Sequence, residues 1–243
     1  AVPAPGDVLL PPPLAPGDSF LAAARREPGR LRIGRYAVPV IAETDVDPAV
    51  LAVYDDASRL LESLGHVVED VAPPFGPDQV HAFEAVWSIL ALGVPLDPAD
   101  EERLRPLTRW LRERGRGVSG EQLSASVSLM RSLTRSTVAG TAAYDAVLTP
   151  TLAQLPALVG GLRDDADPAA DFEAQKRFTP FTSPYNISGQ PAVSLPLGWP
   201  EVDGVVLPVG VQLVGRPGEE AVLLGLAGQL ERAAPWAHRR PPV

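Results

Sequence analysis

Hydrophobic and polar positions in the first part of the chain follow two different periods, which predict strands and a helix. LRIGRY (31–36) alternates apolar and basic side chains and predicts a strand. Residues 47–64 carry apolar side chains at helical spacing behind an Asp-Pro pair that favours a helix N-terminus, and Gly65 favours its end. HVVEDV (66–71) predicts a second strand. This order indicates two parallel strands joined by a right-handed crossover.

The rest of the chain continues as a mixture of helices and strands. Residues 78–145 have mainly helical spacing, and residues 152–175 form a loose stretch without a clear period. Further elements are predicted as strands at 145–150, 191–196 and 207–215 and as a final helix at 219–233, with breaks in the helical stretch near 93–98 and 115–120. We therefore predict an α/β fold around a mixed β-sheet.

Proline is concentrated near the start of the chain. Residues 1–30 predict an extended, proline-rich entry segment with one short helix near residues 19–26. The length of 243 residues allows one large α/β domain or two small ones. The start has no basic region ahead of an apolar stretch, so it does not have the pattern of a signal peptide. No apolar run approaches the roughly 18 residues of a membrane helix. We expect a cytoplasmic protein without a membrane partner.

Charge and cysteine content exclude several classes of function. The formal net charge is −9 and the isoelectric point is about 4.9, which argues against nucleic acid as a partner. The chain has no cysteine, so disulfides, thiol catalysis and cysteine-based metal sites are excluded. Lys176 is the single lysine among 21 basic residues.

The common catalytic and metal-binding motifs are missing from the sequence. There is no G-x-S-x-G elbow, no phosphate-binding glycine loop and no pair of histidines at metal spacing. His66 follows a helix-ending glycine, which predicts a surface turn. Four aspartates within residues 164–171 lack the alternation and glycine turn of a calcium loop and predict a solvated loop. We expect neither a metal nor a cofactor.

Three segments place small and polar residues at the ends of predicted strands, where open sheets usually bind ligands. They are LTPT (148–151), FTSPYNISGQPAVSLP (181–196) and LPVGVQLVGRPGEEAVLL (207–224). Each also has a purely structural interpretation. Gly189 can shape the turn before a strand, and Gln190 can satisfy backbone groups within that turn.

Taken together and in this order, these segments resemble the amidase-signature family. The strand–helix–strand unit of residues 31–74 is similar to the one that follows the central region of that family. The segment YDAVLTPTLAQLP is similar to its D-hydrophobic-hydrophobic-TPT segment, and NISGQPA is similar to its Asn-x-x-Gly-Gln-Pro-Ala stretch. The resemblance covers most of the chain. It implies part of an α/β/α sandwich around a mixed β-sheet, with residues 31–243 as the C-terminal portion of one amidase-signature domain.

The resemblance also implies a mechanism whose residues this sequence does not carry. The family uses a serine nucleophile, a second serine in a cis peptide bond and a lysine that is neutral in order to act as a base. Those residues belong to a lysine-bearing strand and a glycine-serine loop in the N-terminal half. Neither is found here, since Lys176 lies in AQKRF, far from any such loop. No catalytic residue is therefore assigned, and the N-terminal catalytic half is expected to lie outside this chain.

In the family, the C-terminal half supplies a wall of the acyl pocket and much of the substrate cover. Trp87 and Arg131 lie in the helical region, which often shapes specificity, although by residue type alone the first fits core packing and the second a surface charge. The positions that the resemblance assigns to substrate binding are Thr149, Pro150, Thr151, Asn186, Gly189 and Gln190, with Trp87 and Arg131 added from the helical region.

The expected function is hydrolysis of a carboxamide C–N bond once this chain is joined to an N-terminal half. That half is a cleaved chain, a separate subunit or an absent segment. The other expected partners are a small-molecule amide substrate and a second copy of the protein in a homodimer. One alternative is a non-catalytic binding subunit, a pseudo-enzyme half. Another is an unrelated ligand-binding α/β domain. Aryl, aliphatic and peptide amides and carbamates all stay open as substrates.

Overall fold

The computed structural model describes residues 18–76 and 79–239, and a β-sheet forms its centre. The strands of this part of the chain are β1 (Arg32–Arg35), β2 (Val67–Asp70), β3 (Ala146–Pro150), β4 (Ala192–Gly198), β5 (Glu201–Val202), β6 (Val205–Val206) and β7 (Val209–Gly215). Five of them form one sheet in the order β2-β1-β3-β7-β4, and β5 pairs with β6 in a separate hairpin.

The five-stranded sheet is mixed, as the sequence predicts. β1 runs parallel to β2 and to β3, whereas β7 is antiparallel to both β3 and β4. The predicted strand–helix–strand unit is confirmed by the parallel β1–β2 pair. Each of the three later strands is confirmed as well, with an irregular register between Pro196 and Gly198 near the end of β4.

Nine helices surround the sheet within the described residues. They are α1 (Phe20–Arg25), α2 (Pro48–Ser63), α3 (His81–Leu90), α4 (Pro98–Glu101), α5 (Pro106–Arg116), α6 (Gly120–Thr141), α7 (Pro168–Phe178), α8 (Ser183–Ser188) and α9 (Glu220–Ala233). The helix predicted from residue 47 is confirmed: the Asp47 carboxylate accepts a 2.8 Å hydrogen bond from the Ala49 N–H, and Pro48 is the first helical residue.

Helices cover the sheet on both faces, and this gives the α/β/α arrangement. On the first face, α2 and α9 pack against the side chains of Ile33, Leu148 and Leu213, all of which are buried. On the second face, Val147 and Val214 pack with residues from α3, α6 and α8. Alternate residues of one strand point to opposite faces, so β3 and β7 contribute apolar side chains to the core on both faces of the sheet.

The part of the entry segment that the structure describes contacts the domain. The short helix predicted near residues 19–26 is confirmed as α1, which Ser19 caps by accepting from the Ala22 N–H at 3.0 Å. α1 packs so closely on α9 that a Cβ added at Gly228 would lie 1.9 Å from the Ala24 carbonyl oxygen. The prediction of an extended chain before Asp18 lies outside the described residues.

His66 is buried, so the prediction of a surface turn is wrong. It is 5% exposed, its Nδ1 accepts from the Leu31 N–H at 3.1 Å, and its Nε2 lies 2.8 Å from Gln229 Oε1. Because the Leu31 N–H donates to Nδ1, the ring proton is on Nε2 and donates to Gln229. The error arises because α9, which covers this histidine, comes 163 residues later in the chain.

None of the helices in the described ranges 18–76 and 79–239 is both long and apolar enough to span a bilayer.

Candidate functional site

Thr149 is a buried link between the sheet and the segment that leads into α8. It is 0% exposed and pairs in register with Gln212 of β7. The Gln212 amide nitrogen donates to Thr149 Oγ1 at 3.0 Å and to the Phe181 carbonyl oxygen at 3.3 Å. The Thr149 hydroxyl donates in turn to the carbonyl of Pro150 at 2.9 Å. This chain of hydrogen bonds fixes the position of Phe181 relative to the end of β3.

Thr151 and Ser194 form a hydroxyl pair on the second face of the sheet. Their side-chain oxygens are 2.7 Å apart, and Ser194 is exposed. Gly210 separates them on β7, where a Cβ would lie 2.8 Å from Ser194 Oγ and 3.2 Å from Thr151 Oγ1. A side chain at Gly210 would therefore displace the pair. The result is a polar patch of small residues beside the edge strand β4.

Gly189 and Gln190 shape the turn between α8 and β4. Gly189 has φ +70° and ends α8, donating its N–H to the Tyr185 carbonyl oxygen at 3.0 Å. Gln190 is 6% exposed. Its amide nitrogen donates to the Gly215 carbonyl at 3.0 Å and to Thr141 Oγ1 at 3.3 Å. Both residues have a structural task here, so their contact with substrate stays a prediction.

Trp87 and Asn186, which the sequence places in different candidate segments, line one apolar cleft. The cleft has a volume of about 240 Å³ and lies where α3, α6 and α8 meet. Asn186 is exposed, and Trp87 is 43% exposed while it packs edge-on against Phe172 at 5.3 Å between ring centroids. The cleft is completed by Phe83, Val86, Leu90, Met130, Ser183 and Ile187.

Sequence reasoning missed the other apolar residues of this cleft. Leu90 and Met130 lie on helices at spacings that are equally typical of core residues, so nothing in the pattern distinguishes a wall of a cleft from a buried face. Leu90 is 69% exposed, which only the structure reveals. Its exposure, next to that of Trp87, marks the cleft as an open apolar surface.

The remaining candidates lie elsewhere. Arg131 is exposed on α6, does not line the cleft, and has no ion pair or hydrogen-bonded side-chain contact with the described residues. Pro150 is buried and pairs with Val211. Thr151 bonds to Gly210 at one end of β7, whereas Gln190 bonds to Gly215 at the other, about 16 Å away along the strand. The structure therefore does not bring all the candidates into a single site.

Lys176 is held as a cation. Its Nζ lies 2.6 Å from Glu84 Oε1 and 2.5 Å from Glu173 Oε1, and the residue is 7% exposed. Burial opposes the charge, but hydrogen bonds to Glu173 and Glu84 outweigh it and raise the pKa of Lys176. A lysine in this state is unsuited to act as a neutral base, and it connects α7 to α3 instead.

Two of the four aspartates in residues 164–171 bond to the protein's own backbone. Asp164 accepts from the N–H groups of Ala166 and Asp167, each at 3.0 Å. Asp167 caps α7 by accepting from the Ala169 and Ala170 N–H groups. Capping explains the acidic residues just ahead of the helix that starts at Pro168. Asp165 pairs with Arg105 instead, and Asp171 is buried within α7, so the prediction of a solvated loop is wrong for Asp171.

Comparison with known proteins places this arrangement in one family. The amidase family model matches residues 5–224. The amidase homologue AmiB2 of Mycobacterium tuberculosis is 35% identical over 230 residues, which cover 94% of this chain and 49% of that protein. The 6-aminohexanoate-cyclic-dimer hydrolase of Paenarthrobacter ureafaciens is 31% identical over an alignment of 257 positions, which covers 94% of this chain and 51% of that protein.

The fold agrees with these similarities. A solved structure of a 6-aminohexanoate cyclic dimer hydrolase superposes with a TM-score of 0.83 at 27% identity, and the match covers 99% of this chain and 52% of that chain. The chain thus spans about half the length of the relatives it matches.

Proposed function

Because this chain belongs to the amidase family, we propose that it forms the C-terminal half of an enzyme that hydrolyses carboxamide C–N bonds. The observation that carries this proposal is the match of nearly the whole chain to about half of each relative, including a hydrolase of a cyclic amide dimer. We propose that the other half supplies a serine nucleophile, a cis-serine and a neutral lysine.

The state of Lys176 supports a catalytic base outside this chain. In the proposed mechanism the lysine has to lose its proton in order to accept one from the serine pair. Lys176 faces two carboxylates and is stabilised in its charged form. No other lysine is present in the sequence. The proposed relay therefore needs a lysine from another segment.

The edge strand β4 is the proposed contact for the N-terminal half. β4 is the last strand of the sheet in the described part of the chain, and its sequence AVSLPLG has no charged residue. Natural edge strands are usually protected by charges or by a covering element. Ala192 and Ser194 are exposed on the second face, beside Thr151. We propose that the N-terminal half covers this edge and this face.

The cleft lined by Trp87 and Asn186 is the proposed contact for the apolar part of the amide substrate. Its walls are apolar, and the Asn186 amide offers both a donor and an acceptor at its rim. Thr149, Pro150, Gly189 and Gln190 are proposed to act by holding the surrounding walls in position. Arg131, exposed on α6, is proposed to reach only larger substrates.

Reconstitution tests this function. The 243-residue chain is expressed alone and together with an N-terminal half that carries a lysine strand and a glycine-serine loop, and both preparations are assayed on an anilide, an aliphatic amide and a cyclic amide dimer. We expect hydrolysis only by the joined protein. Binding of amides without hydrolysis by the joined protein would support a non-catalytic partner subunit instead, and hydrolysis by the chain alone would refute a half-enzyme.

A further inference from the structure

A second cavity, of about 520 Å³, lies among α3, α5 and α6, and the proposed function does not use it. Its apolar lining includes Ala85, Val118 and Leu129. Its polar lining residues are His81, Glu84, Ser88, Arg114, Gln122 and Ser126. The balance of donors and acceptors among these polar groups determines which ligand the cavity suits.

Glu84 is the single carboxylate among the residues that line this cavity, and its charge is already compensated. Its Oε1 accepts from Lys176 Nζ at 2.6 Å and its Oε2 from Arg114 Nη2 at 3.1 Å. Burial opposes ionisation, but the two cations outweigh it and lower the pKa of Glu84. Both carboxylate oxygens are therefore engaged, and Glu84 adds little negative potential for a ligand to overcome.

Arg114 keeps part of its donor capacity. Only Nη2 bonds to Glu84, so Nε and Nη1 remain as donors. The guanidinium carbon lies 4.6 Å from the centroid of the Trp110 ring. This contact with the ring, together with the bond to Glu84, restrains the guanidinium, whose planar fork of donors suits recognition of a carboxylate.

Two further residues add donors to the same cavity. Gln122 uses its amide oxygen to accept from the Ser119 N–H at 2.8 Å in the capping box of α6, which leaves the amide NH₂ group to donate. Ser88 is 1% exposed, and its hydroxyl has no hydrogen-bond partner within residues 18–76 and 79–239. A buried hydroxyl without a partner is uncommon and unfavourable, so an incoming acceptor would be stabilised there.

We propose that this cavity is a binding site for a small aliphatic carboxylate. The carboxylate accepts hydrogen bonds from Arg114 and Gln122, and the hydrocarbon chain lies along Ala85, Val118 and Leu129. The donors of Arg114 and Gln122, with both oxygens of Glu84 already engaged, favour an anion over a neutral compound of the same length. This site does not depend on amide hydrolysis and is tested by binding alone.

Calorimetric titration of the purified chain, with its N-terminal half where the two co-purify, tests the selectivity. Hexanoate is compared with hexan-1-ol, which has the same chain length and no charge. We expect hexanoate to bind and the alcohol to bind at least about tenfold more weakly, since it cannot form the charge-assisted hydrogen bonds. Equal affinity for the two, or no binding of hexanoate, would overturn the proposal.

The substitution Gln122→Glu isolates the anion contact without removing the helix cap. A glutamate keeps the oxygen that accepts from the Ser119 N–H, so α6 keeps its capping box, while the donating NH₂ becomes a negatively charged oxygen. We expect hexanoate affinity to fall about tenfold or more. Ser124→Glu makes a similar charge change at an exposed position of α6 outside the cavity and should leave affinity nearly unchanged. Wild-type affinity in Gln122→Glu would contradict the assignment.

Discussion

The side-chain amide of Gln190 donates a 3.0 Å hydrogen bond to the carbonyl oxygen of Gly215, which joins the turn before β4 to the last residue of β7. The same nitrogen also lies 3.3 Å from Thr141 Oγ1 near the end of α6. A polar residue that the sequence marks as a candidate for substrate binding thus connects three elements beneath the surface. Its role in the fold is what the first prediction measures.

Replacing Gln190 by alanine should destabilise the protein. The buried Gly215 carbonyl would be left without this partner, and an unsatisfied buried acceptor costs about 1–3 kcal/mol. We expect a decrease of this size in the free energy of unfolding, measured by chemical denaturation. Asn186→Ala, which removes an exposed amide from the same segment, should change stability much less. Unchanged stability with a lower kcat/KM in the joined enzyme would assign Gln190 to substrate binding instead.

The ion pair between Glu84 and Lys176 should make stability depend on pH. The pKa of Glu84 is lowered in the fold, burial being outweighed by Lys176 and Arg114, so the carboxylate form favours the folded state. Its contribution is fully present above the ordinary value of 4.5 and is lost as the pH falls through the lower value of the folded state. Glu84→Gln should therefore destabilise by about 1–3 kcal/mol at neutral pH.

The stability difference between wild type and Glu84→Gln should shrink as the pH falls from 4.5 through the lowered pKa of Glu84 in the folded state, because the unfolded wild-type chain binds a proton first and the folded protein only at lower pH. Chemical denaturation of both proteins from neutral pH to below 4.5 measures this difference in the free energy of unfolding. Glu113→Gln serves as the matched control, since Glu113 pairs with Arg116 while its side chain is 78% exposed, and an exposed pair contributes little. A Glu84→Gln difference that is constant with pH would show that its charge is not what stabilises the fold.

Leu90 tests the cleft without disturbing the core. Because its side chain is 69% exposed, Leu90→Gln should leave stability nearly unchanged while making one wall of the cleft polar. For an amide with a large apolar substituent we expect KM in the joined enzyme to rise about three- to tenfold, because binding then buries less apolar surface, with kcat little affected. Leu158→Ala, at another exposed leucine outside the cleft, should not change KM. The same KM for both variants would separate the cleft from substrate binding.

A charge on the edge strand tests the proposed contact between the halves. Ala192→Lys places a cation at an exposed position of β4, where lysine discourages pairing with another strand. The isolated chain should become more soluble, and its assembly with the N-terminal half should weaken together with amidase activity. Val205→Lys makes the same change on the separate β5–β6 hairpin and should assemble normally. Normal assembly of Ala192→Lys would place the contact elsewhere.

The local pattern of apolar and polar residues predicts those helices and strands whose spacing and capping residues lie close together in the sequence. The Asp47–Pro48 start of α2 and the strands of the central sheet follow from spacing and caps alone. The pattern does not predict α7 and α8. In α7 the apolar residues do not form a clear stripe, since Asp171 and Lys176 are buried beside Phe172, and α8 is a single short helix before Gly189.

Long-range contacts determine what the sequence could not indicate. The burial of His66 depends on Gln229, 163 residues away, and the charge of Lys176 depends on Glu84, 92 residues away. Likewise, Trp87 and Asn186 face one cleft only because α3 and α8 pack on α6. The sequence indicates these two residues as candidates, but only tertiary packing brings them together and separates them from Gln190.

Labelling with a fluorophosphonate tests the central claim, that the nucleophile is supplied from outside this chain. The probe reacts with an activated serine. The chain carries exposed or half-buried serines such as Ser188 and Ser194, so the probe can reach serines of this chain as well. Active protein is labelled, digested and analysed by mass spectrometry. We expect no adduct on residues 1–243 and labelling confined to the N-terminal half. An adduct on Ser188, Ser194 or any other serine of this chain would contradict the half-enzyme account and indicate a self-contained hydrolase.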